Sequence, residues 1–144
     1  MKHITKVLMA VDLSEHTQSH MKTGTPILEQ LGCTVVLIHC IPPLHELPSE
    51  YIPHENVALF IEEAVSAIHE QLQGVAQKYL SHLDVIIETP IGEPIVCIND
   101  YAIRYGCSMI IIGKSYKNTL ERFFLGSVAS TLVSSSNLPI LLLG

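Results

Sequence analysis

The chain has 144 residues, 48% of them hydrophobic and 15% charged, with a formal net charge of −6. That composition can bury a sizeable core and excludes disorder, while the acidic balance argues against nucleic acid or anionic membrane as a partner, because both select cationic surface. Aromatic residues make up 6% and tryptophan is absent, so the core is expected to be mostly aliphatic.

Five short runs rich in Val, Ile and Leu stand out: Ile4–Val11, Thr34–Ile41, Val85–Thr89, Met109–Gly113 and Leu138–Leu143. None alternates cleanly between apolar and polar residues, which is how strands read when both faces of a parallel sheet are covered. Segments of helical periodicity separate them, giving β-α-β-α-β-α-β-α-β. This alternation predicts right-handed crossovers and a doubly wound, mostly parallel α/β sheet within one domain over residues 1–144.

In chain order, Ser14 is placed to cap a first helix whose apolar stripe is Met21, Ile27, Leu28 and Leu31, with a kink or early end expected at Pro26. The stretch Pro42–Pro53 holds four prolines and reads as a surface excursion. The second helix carries Val57, Ile61, Ala64, Val65, Ile68, Leu72, Val75 and Tyr79 at spacings of three and four. Pro94 suits the first turn of a third helix that stops near Gly106, and a fourth runs from about Gly126 through Val133. No run reaches the roughly 18–20 apolar residues of a membrane span, and the N-terminal residues show no cleavable signal pattern. The four cysteines, Cys33, Cys40, Cys97 and Cys107, form no CxxC pair. They are expected to be buried free thiols of a reducing, cytoplasmic compartment.

Ligands of open parallel sheets bind beyond the carboxyl ends of the strands, where strand order reverses. Two loops suit that position: Ala10-Val11-Asp12-Leu13-Ser14 after the first strand, and Gly113 to Ser127 after the fourth. The second opens with Gly113 and closes with Gly126-Ser127 at a helix start, whose free N–H groups can receive phosphate. It holds three of the chain's eight basic residues, Lys114, Lys117 and Arg122.

Other chemistries find less support. Gly113-Lys114-Ser115 lacks the upstream glycine of a P-loop, since Ser108 occupies that place, and it leaves a strand without opening a helix. The first βα turn has no glycine, which disfavours a dinucleotide fingerprint. His16 and His20 share a helix face and His45 and His54 lie in the long loop, but no spaced Cys or carboxylate completes a metal set, so exposed, ordinary histidines are expected. No nucleophile elbow occurs, and no catalytic residue is assigned. A phosphoacceptor receiver fails for lack of an Asp ending the third strand, which closes Glu88-Thr89-Pro90, and of a Lys after the fifth.

Asp12 ending the first strand, His39-Cys40-Ile41, Gly92-Glu93-Pro94, Ile110-Ile111-Ile112-Gly113, Phe124-Leu125-Gly126-Ser127-Val128-Ala129 and Pro139 together resemble the universal stress protein family over essentially the whole length. The resemblance implies a three-layer α/β sandwich of the adenine nucleotide alpha-hydrolase-like kind, with five parallel strands in the order 3-2-1-4-5. It also implies a homodimer made by pairing of the last strands, Leu138–Leu143, and a regulatory, stress-response role with a protein partner yet to be identified. Nucleotide-binding members carry a G-x-x-G-x9-G-[S/T] loop, matched here by Gly113 and Gly126-Ser127, with Tyr116 at the second glycine position and Ala10 where such members often have proline. By this resemblance ATP or another adenine nucleotide, with Mg²⁺ for ATP, would lie with Asp12 near the adenosine and the Cys40 backbone at the adenine. Gly113 would meet the ribose, Gly126-Ser127 the phosphates, and Lys114 would stand beside them. Slow ATP hydrolysis is the most activity expected. The competing expectation is a ligand-free interaction module of the same fold, with Tyr116, Phe123 and Phe124 forming an apolar contact surface.

Overall fold

The computed structural model describes residues 3–114, 116 and 125–144. Five strands, β1 (Lys6–Ala10), β2 (Thr34–Ile38), β3 (Val85–Glu88), β4 (Met109–Gly113) and β5 (Ile140–Leu143), form one sheet in the order β3-β2-β1-β4-β5. Every neighbouring pair is parallel, so the sheet is wholly rather than mostly parallel. Ala10 pairs with Ile38 on one side and with Ile112 on the other, which fixes the register at the carboxyl ends.

The helices are α1 (Thr17–Leu31), α2 (Val57–Tyr79), α3 (Pro94–Arg104) and α4 (Ser127–Ser135). Strand residues alternate between two cores. Val7, Met9, Val11, Val35, Leu37 and Ile111 pack toward α1 and α2. Leu8, Ala10, Val36, Ile38, Cys40, Ile110 and Ile112 pack toward α3 and α4. Burial on both faces explains the unbroken apolar runs, each such Val, Leu or Ile contributing about 1.5–3 kcal/mol of transfer free energy. All four cysteines are buried and unbridged, and burial raises the Cys107 thiol to a pKa of about 11.

Three local expectations change. Helix α1 does not end at Pro26 but continues to Leu31. Pro26 is exposed, so water can meet the carbonyl that loses its backbone donor. Ser14 is not the cap: His16 holds that position, and the Ser14 hydroxyl accepts the His16 N–H at 3.2 Å. In α2 only Leu72 and Ala76 are fully buried. Every residue of its first half is half-buried or exposed. Elsewhere Gly106 ends α3 in the left-handed conformation at φ 66°, as its position after the helix suggests.

Candidate functional site

Asp12 lies just past the end of β1, in a turn whose next residue, Leu13, has φ 56°. Its Oδ1 accepts the Ser14 N–H at 3.1 Å, an Asx turn that steers the chain into α1. The end of β1 is tied to β2 twice. Val11 N–H donates to the Ile38 carbonyl at 3.0 Å, and the buried His39 ring donates from Nδ1 to the Val11 carbonyl at 2.8 Å. Cys40, two residues beyond β2, is fully buried, with its Sγ 3.9 Å from the Pro94 carbonyl.

On the other flank of β1, Gly113 ends β4. Lys114 N–H donates to the Leu143 carbonyl at 2.8 Å, and its own carbonyl accepts the Gly126 N–H at 2.7 Å. That bond brings the start of α4 back to the end of β4. Gly126 is buried and caps α4, whereas Ser127 opens the helix on its exposed side. The Lys114 side chain runs toward β5: a Cβ built on Gly144 would stand 3.4 Å from its Nζ. Lys117, Arg122, Phe123 and Phe124 lie outside the described residues.

The topology thus gathers Ala10, Asp12, Cys40, Gly113, Lys114 and Gly126 around the carboxyl ends of β1, β2 and β4, with Ser127 at the rim. Two aromatic side chains fill the junction. Tyr116, its N–H bonded to the Gly113 carbonyl at 3.1 Å, turns inward and is only 2% exposed. It packs in the α3/α4-side core with Leu8, Ala10, Cys40 and Ile112. Burial raises its pKa first, the Cys40 thiol adds to the rise, and a backbone hydrogen bond from Cys40 opposes it. The phenol oxygen therefore faces Cys40. On the opposite face the His20 ring lies against Gly113 so closely that a Cβ there would come within 2.2 Å of it. Glycine is required at this position for space. Burial lowers the His20 pKa, the Asp12 carboxylate pulls it up, and His16 pushes it down again.

His20 corrects the expectation of an exposed histidine face, for it is 7% exposed. Its position was available in the helical spacing, because Thr17, His20, Met21, Gly24 and Leu28 form the buried stripe of α1. His39, also buried, carried no such signal beyond its place at a strand end.

With this geometry in place, relatives can be compared. The family model for the universal stress protein family matches residues 3–144. This chain belongs to the universal stress protein family. It is 25% identical over 139 residues to the universal stress protein Sll1388 of Synechocystis, covering 89% of this chain and 90% of that one. Among solved structures, the hypothetical protein MJ0577 superposes with a TM-score of 0.82 at 22% identity, covering 99% of this chain and 96% of the other. A universal stress protein solved in complex with cAMP superposes with a TM-score of 0.68 at 14% identity, covering 99% and 98%. These likenesses carry the fold. Among the described residues no helix is long and apolar enough to cross a membrane.

Proposed function

We propose that this universal stress protein is a homodimeric regulatory module whose crevice between β1 and β4 is filled by its own Tyr116 and not by ATP. The observation that carries the reading is the burial of Tyr116 against Ala10, Cys40 and Ile112. A nucleobase in this crevice would need the Cys40 backbone, and the buried Tyr116 ring already packs in the same cluster as Cys40. Ala10 supports the arrangement, since a methyl side chain between Ile38 and Ile112 leaves room for a ring above it. The phosphate end is equally ill served, with Lys114 turned toward Gly144.

Homodimerisation is supported by β5. It is the last strand of the sheet, and Leu142 is 37% exposed. An apolar end strand with an exposed leucine favours pairing with a second copy. The output of the module would then be recognition of a protein partner.

Calorimetric titration with ATP, AMP and cAMP, with and without Mg²⁺, tests the crevice. The expected result is no saturable heat from the wild type at millimolar ligand. Saturable binding overturns the reading and favours the second one: an adenine nucleotide receptor in which Tyr116 withdraws on binding. That alternative draws on the convergence of Asp12, Gly113 and Gly126, and on the cAMP complex of a structural neighbour.

A further inference from the structure

Away from the crevice, the excursion between β2 and α2 covers a cavity of about 100 Å³. Its floor is rigid. Ile41 and Ile91 form a parallel bridge, with Ile41 N–H donating to the Pro90 carbonyl at 2.8 Å and Gly92 N–H to the Ile41 carbonyl at 2.9 Å. One wall is the first half of α2, through Phe60, Ile61 and Val65. The cover is the excursion itself, through Leu44 and Leu47. It contains two short 3-10 turns, Leu44–Glu46 and Ser49–Tyr51, neither of which has a buried residue.

All nine side chains lining the cavity are apolar. A void among such groups forfeits dispersion contacts on every wall, and a packed core of this composition ordinarily collapses to remove it. Here collapse is opposed by the bridged floor. Ile91, part of the floor, is 48% exposed, so the cavity reaches solvent at that edge. A charged or strongly polar guest would lose its hydration with nothing to replace it. The volume is also too small for a helix or strand of another protein. An engineered apolar cavity of about 150 Å³ stays dry and accepts benzene or xenon, which sets the scale for a guest.

We propose that this cavity is a binding site for a small uncharged hydrocarbon group, alkyl or aryl, presented by a soluble ligand. The site lies on the α2 side, so it is independent of whether the crevice takes a nucleotide. Methyl-detected NMR titration of the full chain with benzene, and separately with xenon, tests it. The expected result is saturable shifts confined to the methyls of Leu44, Leu47, Ile61, Val65 and Ile91. They should be lost in Val65→Phe, which fills the space, and in Ala64→Leu, which closes the mouth. Ala58→Leu, on the same helix outside the lining, should keep them. Shifts that rise linearly without saturation, or that persist in both filling variants, overturn the proposal. So does a cavity that takes neither probe in the wild type.

Discussion

Replacing Tyr116 with alanine separates a core residue from a mobile lid. The ring is 2% exposed and contacts both β1 and β4 residues of the α3/α4-side core. Truncating a buried aromatic to alanine costs about 3–5 kcal/mol. For a chain of this length that corresponds to a fall in Tm of roughly 10–20 °C. Tyr116→Phe, which keeps the ring and removes only the oxygen facing Cys40, should cost about 1 kcal/mol. Urea unfolding monitored by circular dichroism gives both values, and an unchanged m-value shows that the same surface is exposed in each case. The alanine variant also vacates the crevice. If the surrounding frame suits an adenine nucleotide, AMP at a hundred times its Kd returns about 2.7 kcal/mol to the variant. It returns nothing to the wild type. A loss below about 1 kcal/mol for Tyr116→Ala would refute the reasoning, because only an exposed side chain is removed so cheaply.

Other outcomes follow from neighbouring contacts. Gly113→Ala should destabilise by about 1–3 kcal/mol through collision with His20. The loss should shrink in a His20→Ala background, and a double-mutant cycle in urea measures that coupling. Because burial holds the His20 pKa below its ordinary 6.5, the unfolded chain takes up the proton first as pH falls. The stability from neutral His20 is present above pH 6.5 and is lost progressively below it. Thermal melts between pH 7.5 and 5 should therefore fall less steeply for His20→Gln than for the wild type, and equal slopes would contradict this. Leu142→Lys places a charge on the exposed part of β5. Under the proposed pairing of the last strands, it should shift the sedimentation velocity profile from dimer to monomer while leaving the circular dichroism spectrum unchanged.

The strands were legible because the three central ones, β1, β2 and β4, are buried on both faces, so their apolar runs needed no knowledge of the partner strand. Gly126 and Gly106 were legible for a related reason, since helix ends announce themselves locally. His20 was misread because the spacing admits two stripes. One runs through Ile27 and Leu31, which the structure leaves half-buried. The other runs through Thr17, His20 and Gly24, and it became the buried one. What decided between them was the missing side chain of Gly113, 93 residues along the chain from His20 and invisible to local periodicity. Lys114 presents the same difficulty. Its place after β4 suggested phosphate, but the direction of its side chain depends on where β5 ends. Tyr116 could be recognised as a departure from a glycine pattern, yet the destination of its ring depends on Ala10 and Cys40 sharing one face of the sheet.

His20 and Tyr116 share a physical explanation. At the reversal of strand order, β1 and β4 both end between layers of helices, and the gap between their loops is ordinarily where an open parallel sheet admits a ligand. In this chain the gap is entered from both faces by the protein itself. His20 comes from α1 into the space left by Gly113, and Tyr116 comes from the loop after β4 into the space left by Ala10. Each large ring is matched by a small residue on the facing strand, which is the complementarity of a packed core. Burial lowers the His20 pKa and raises that of Tyr116, and the Asp12 carboxylate opposes the first shift and adds to the second. A ligand entering from the Tyr116 side must displace a buried phenol, and it gains only what its own contacts add beyond those the phenol already makes. This difference, more than the spacing of the loop glycines, decides whether the crevice is occupied.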